Sequence, residues 1–155
     1  MKGDLMIKEL VMLDMEAENT DDFFQKMADL LQKKGYVKET FCHAICEREA
    51  KYPTALPIEP ESVAIPHTDP EHILKNFIAP VRLKYPVKWC EMGTSDVEHD
   101  VRFAFLLGFH KSDAHIELLQ LLVDNFQDRD LMKKLDEAET VDEYMNVLLK
   151  MRGFE

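Results

Sequence analysis

The sequence predicts an α/β fold, on three observations. Helix signals and β-type apolar runs alternate from about residue 20 to the end, with no Gly/Ser linker, low-complexity tract or internal repeat between them. A long aromatic run, Val101 to Phe109, has the composition of a central strand and leads through a short polar loop into a strongly periodic helix. At 155 residues with 46% apolar composition, the chain is the size of one ordinary domain, and one unit over 1–155 is expected.

The first helix is expected from Thr20 as cap, with Asp21 and Asp22 in its first turn, Phe23, Met27, Leu30 and Leu31 as its apolar stripe, and Lys33-Lys34-Gly35 as its stop. A second runs from about Thr40 to Ala50 and ends before Pro53, because a proline pushes the residue before it out of the helical region. Val63, Ala64 and Ile65 form a short buried strand halted by Pro66, which cannot continue a central ladder. Asn76 to Leu83 and Val87 to Trp89 read as two further strands, with a turn at Met92-Gly93-Thr94. After the Val101 run, Ser112 caps a helix whose third position is His115 and whose core stripe is Leu118, Leu119, Leu122 and Phe126. A short helix near Asp130 to Leu135 and a last one opened by the capping-box pair Thr140 and Glu143 complete the scaffold.

Three positions carry chemistry. His67 follows Pro66 at a strand end, held by rigid backbone yet facing outward, and an unperturbed imidazole titrates near pH 6.5, so a neutral nucleophile fits as well as an ordinary loop histidine. Phe41, Ile45 and Arg48 are spaced i, i+4, i+7, which sets a guanidinium on the apolar stripe. It either meets an anion there or lays its methylenes along apolar surface and reaches water. His115 lies where backbone N–H groups cluster at a helix start, a place for a neutral ring beside an anion, or for a packed surface histidine.

Other chemistries find less support. Thirty acidic against 19 basic residues give a net charge of −11, which argues against nucleic acid or an anionic membrane as partner. No run approaches the roughly 20 apolar residues of a membrane span, and the N-terminus lacks a signal-peptide core, so a cytoplasmic protein without direct membrane insertion is expected. Cys42, Cys46 and Cys90 form no CxxC pair and read as buried thiols. His67, Asp69, His72, His110 and His115 are poorly spaced for a metal, so none is expected. Five glycines and no G-x-x-x-x-G-K-[ST] string leave no nucleotide cradle.

Arg-Glu-Ala-Lys-Tyr-Pro-Thr at 48–54, Val-Ala-Ile-Pro-His at 63–67 and Asp-Ala-His-Ile-Glu-Leu-Leu at 113–119 form an ordered set. That set resembles the IIA domain of the fructose-mannitol group (type 2) of the bacterial sugar phosphotransferase system, over nearly the whole chain, and its first motif looks most like the galactitol-type branch. Thr68-Asp69-Pro70 follows His67 where fructose and mannitol relatives usually carry glycine, which argues against either of those labels. The resemblance implies a single three-layer α/β/α domain around a mixed parallel and antiparallel sheet, with the active histidine at a strand end beneath the helix bearing His115. It further implies a phosphotransferase without cofactor: His67 accepts a phosphoryl group from the carrier HPr and passes it to a IIB component, typically to a cysteine, with IIC as the membrane partner. His115 and Arg48 would stabilise the phosphoryl charge, and Thr54 would add a hydrogen bond. Two other readings share the scaffold: a regulatory IIA-like domain that signals its phosphorylation state to a transporter, kinase or transcription factor, and an interaction module with an idle histidine.

Overall fold

The computed structural model describes residues 2–94, 96–110 and 115–154. Ser112, Asp113, Ala114 and the His115 side chain, which the sequence reading used, lie outside the described part.

Five strands, β1 (Met12–Met15), β2 (Ala55–Leu56), β3 (Val63–Ala64), β4 (Phe77–Cys90) and β5 (Glu98–Gly108), form one sheet in the order β1-β4-β5-β3-β2. The sheet is mixed: β1 runs parallel to β4 and β3 parallel to β5, while β4 with β5 and β2 with β3 are antiparallel. Helices α1 (Thr20–Lys33) and α2 (Phe41–Lys51) cover one face, and α3 (His115–Phe126), α4 (Arg129–Glu137) and α5 (Val141–Leu149) cover the other, giving the expected α/β/α layers. The pleat sorts the side chains. Ala104 and Leu106 of β5 join the core under α1 and α2, while Phe103, Phe105 and Leu107 join the core under α3 to α5.

Local chemistry accounts for the elements and for the departures from expectation. Asn19, not Thr20, caps α1: its Oδ1 accepts the Asp22 N–H at 2.8 Å, while Asp22 Oδ2 accepts the Glu18 N–H at 3.0 Å. Either side chain suits a cap; the one whose backbone is extended takes it, and Thr20 is already helical. Phe24, outside the expected stripe, is fully buried, and with Phe23 it packs edge-on against Trp89 of β4 at centroid distances of 5.7 and 5.2 Å. The two strands expected on either side of Lys84-Tyr85-Pro86 are one strand, β4, whose register against β5 slips between Arg82 and Val87. Pro86 lies inside that irregularity, where a missing ladder donor is tolerated. Strands β1 and β2 carry no alternation long enough to read, and the sequence reading passed over both. At the end of β5, Phe77 covers Gly108 so closely that a Cβ there would stand 2.1 Å from its ring.

Candidate active site

β3 is two residues long because Pro66 ends it, yet the chain continues beside β5: Leu107 N–H donates to the Pro66 carbonyl at 3.0 Å, and His67 forms a parallel bridge to Leu107. His67 is thereby held at the edge of the central sheet, half-buried. Its Nδ1 lies 2.8 Å from the Ile65 carbonyl oxygen. A carbonyl only accepts, so this contact puts the ring proton on Nδ1 and the in-plane lone pair on Nε2.

The ring opens on a cleft of about 880 Å³, walled by the end of α2 and the segment after it (Arg48, Lys51, Tyr52, Pro53 and Thr54) and by the turn at Met92, Gly93 and Thr94. Gly93 makes that turn with a φ of +86°, where a side chain would be strained. Of the four residues singled out in the sequence, His67, Arg48 and Thr54 thus line one cleft; the His115 side chain lies outside the described residues.

Arg48 meets a carboxylate and an aromatic ring at the border of the helix face. Its guanidinium lies over the Tyr52 ring at 4.9 Å and its Nη1 donates to Asp69 Oδ1 at 3.2 Å, with the side chain 35% exposed. The fully buried end of the α2 stripe is a different residue. Phe41 and Ile45 are followed by Glu49, spaced i, i+4, i+8, and Arg48 stands at the border of the helix face. The sequence reading stopped one residue short, because an acid so close to the core is unfavourable unless it has partners that spacing cannot show.

Glu49 has those partners. Its Oε1 accepts the Thr54 hydroxyl at 2.5 Å and the Trp89 indole N–H at 2.8 Å, while Oε2 is buried with no hydrogen-bond partner. Burial pushes the Glu49 carboxyl above its ordinary value of 4.5, against the smaller opposing effects of the Thr54 hydroxyl, the Trp89 indole and the Thr54 backbone N–H. The folded protein therefore holds this proton more tightly than the unfolded chain. Stability from the neutral acid is fully present below 4.5 and is lost as pH rises from there through the folded value. Glu49→Gln has no such slope, so the melting-temperature difference between variant and wild type should drift in the variant's favour as pH is raised across that window. Parallel curves would remove this account of Glu49. Thr54 is itself 3% exposed, and its hydroxyl proton is engaged by Glu49 in this structure.

The remaining polar candidates are occupied elsewhere. His72 Nδ1 pairs with the Thr40 hydroxyl at 2.8 Å, and His110, whose backbone N–H donates to Asn76 Oδ1 at 3.0 Å, does not line the cleft. Among the described residues no group of three His, Cys, Asp or Glu is arranged to hold a metal ion. Burial, with a smaller effect of neighbouring Cys42, pushes the Cys46 thiol up to about 12, so it stays protonated and unreactive at neutral pH.

Residues 4–151 match the family described as phosphoenolpyruvate-dependent sugar phosphotransferase system, EIIA 2. The chain belongs to that family. As a IIA component of this phosphotransferase system, it is 27% identical over 104 residues to the galactitol-specific EIIA component of Escherichia coli K12, covering 66% of this chain and 67% of that one. It is 26% identical over 143 residues to the mannitol-specific EIICBA component of the same organism, covering 90% of this chain but only 21% of that longer protein. The IIA fold is also that of solved structures. The crystal structure of IIA mannitol from E. coli has a TM-score of 0.73 at 23% identity, over 92% of this chain and 98% of that one. A IIA domain from Streptococcus pyogenes has a TM-score of 0.78 at 16% identity, over 98% and 97%. No helix among the described residues is long and apolar enough to cross a membrane.

Proposed function

We propose that this IIA component is a cytoplasmic phosphocarrier in which His67 Nε2 takes a phosphoryl group from phospho-HPr and hands it to a IIB component, which serves the uptake of a galactitol-like sugar alcohol through a membrane IIC partner. The observation that carries the reading is the bond from His67 Nδ1 to the Ile65 carbonyl, made in the wall of a cleft that also holds Arg48. A nucleophilic imidazole needs its lone pair on the attacking nitrogen and its proton on the other, and that bond selects this tautomer. In the transfer the N–P bond of the donor breaks as a bond from phosphorus to His67 Nε2 forms, while the proton stays on Nδ1, hydrogen-bonded to the Ile65 oxygen. Passage to IIB reverses the roles: the bond at Nε2 breaks as the acceptor, a cysteine sulfur in the galactitol branch, takes the phosphorus.

Arg48 supplies positive charge for the equatorial oxygens, with Lys51 on the same wall. Asp69 holds Arg48 at rest, and a phosphoryl group, with more charge and more acceptor oxygens than a carboxylate, competes for the same guanidinium. His115, in the first described turn of α3, is assigned a hydrogen bond to the phosphoryl group, and Thr54 lines the same cleft with its hydroxyl held by Glu49. Arg48→Ala should slow uptake by about tenfold, a modest factor because the group is a third exposed and screened, and Arg48→Lys should not restore it. An unchanged single-turnover rate in Arg48→Ala would remove Arg48 from the mechanism.

The support for a IIB partner is the family, together with a complex of E. coli IIAMTL with phosphorylated IIBMTL, whose IIA shares 23% identity and a TM-score of 0.72 with this chain. Incubation with phosphoenolpyruvate, enzyme I and HPr, then with a galactitol-type IIB, and intact mass at each stage, tests the reading. One phosphoryl group gained and then passed on supports a transport carrier. Uptake without passage to any IIB points to a regulatory IIA, and no uptake from active HPr would sink the phosphocarrier.

A further inference from the structure

Glu49 lies outside the cleft, buried behind Thr54, yet it is joined to His67 by consecutive hydrogen bonds. The Thr54 hydroxyl donates to Glu49 Oε1 at 2.5 Å, the Thr54 carbonyl accepts the Ile65 N–H at 3.2 Å, and the Ile65 carbonyl accepts His67 Nδ1–H at 2.8 Å. We propose that Glu49 is a positioning residue for phosphoryl transfer: by fixing Thr54 it orients the Ile65 peptide units and so holds His67 in the tautomer that presents Nε2. The proposal rests on His67 being the phosphoryl acceptor.

Each link is constrained independently. Thr54 and Ile65 are 3% and 1% exposed, so water does not substitute for either partner. Pro66 follows Ile65, restricts it to extended backbone and donates no N–H of its own. The Ile65 carbonyl therefore points where its own N–H anchor and the Pro66 ring direct it, and that anchor is the Thr54 carbonyl. Glu49 reaches His67 across 18 residues of sequence through residues 54 and 65, a connection made only by the pairing of β2 with β3. The carboxyl does not touch the reacting atoms; it acts through the peptide that binds the other ring nitrogen. Among metal-ligand histidines, loss of the partner that sets ring orientation costs about 10- to 100-fold in function, and an effect near the lower end is expected through an intervening peptide.

The decisive readout is the His67 tautomer, read from long-range proton–nitrogen correlations of the unphosphorylated protein, beside single-turnover uptake from phospho-HPr. Glu49→Leu should give a mixed tautomer and an uptake rate at saturating HPr about tenfold lower, with the dependence on HPr concentration unchanged. Glu49→Gln retains a carbonyl acceptor at Oε1 and should keep the wild-type pattern. Thr54→Val should mix the tautomers as Glu49→Leu does, and it carries the test if the leucine variant fails to fold. Trp89→Phe removes the other donor to the same oxygen without touching the path to His67, and should leave the tautomer alone. Wild-type tautomers in the folded Glu49→Leu or Thr54→Val protein would overturn the proposal, as would equal mixing in Trp89→Phe, which would mean generic loosening of the core. The tautomer is measured without any phosphoryl donor, so the phosphocarrier reading fails separately, by no uptake from active HPr, and His67 as the acceptor fails by uptake that survives His67→Ala.

Discussion

His67→Ala is expected to abolish phosphoryl uptake from phospho-HPr while the protein stays folded. The loss is expected to be complete because no other described group combines the needed features: a nitrogen nucleophile at the end of a rigid strand, a carbonyl that accepts a hydrogen bond from its second nitrogen, and a guanidinium on the same wall. His72 and His110 do not line that cleft. The structural cost is small. Loss of the side-chain hydrogen bond to the Ile65 carbonyl at this half-buried position costs about 1 kcal/mol, and the bond from Leu107 N–H to the Pro66 carbonyl stays in place. Intact mass at neutral pH, where a phosphohistidine survives, reads the first result, and thermal melting reads the second. A His67→Ala protein that still gains a phosphoryl group would move the acceptor to another side chain.

The largest effect on stability is expected at Arg82, which has no part in the chemistry. It is 4% exposed, on β4 beneath α4 and α5. Its Nη1 donates to the carbonyls of Leu135 at 2.9 Å, Asp136 at 3.2 Å and Ala138 at 2.6 Å, its Nη2 reaches the Asp14 carboxylate at 3.3 Å, and its guanidinium lies 5.8 Å from the Tyr144 ring centre. The end of a helix leaves carbonyls without partners and carries partial negative charge, so one buried cation satisfies α4 on both counts and ties it to the sheet. Arg82→Met keeps length and apolar contact but strands those carbonyls. It should cost about 3–5 kcal/mol, roughly a 10 °C fall in melting temperature for a chain of this size. Asp14→Asn separates the two contributions. Asp14 is 59% exposed in its side chain and adopts a φ of 57°, a conformation asparagine tolerates, so removing its charge should cost less than about 1 kcal/mol. Equal losses in the two variants would show that the ion pair, not the helix carbonyls, is what Arg82 supplies.

The position of His67 was legible because its determinants are local. Three apolar residues followed by proline define a strand that must stop, whatever surrounds it. The α2 stripe was legible for the same reason up to Ile45, and the cap of α1 was missed by one residue because adjacent Asn19 and Thr20 have similar capping chemistry. Periodicity and proline, acting over a few neighbouring residues, determined by themselves the α/β class, the five helices to within a few residues over the described part, and the place of His67 at a strand end. What only the tertiary structure decided is nonlocal: the pairing of β1 with β4, the joining of two expected strands into one β4, the burial of Glu49 in place of Arg48, and the path from Glu49 through Thr54 and Ile65 to His67. The free energy of a buried carboxyl depends on a hydroxyl from the segment after α2 and an indole brought to it from β4, and no spacing along α2 contains that information.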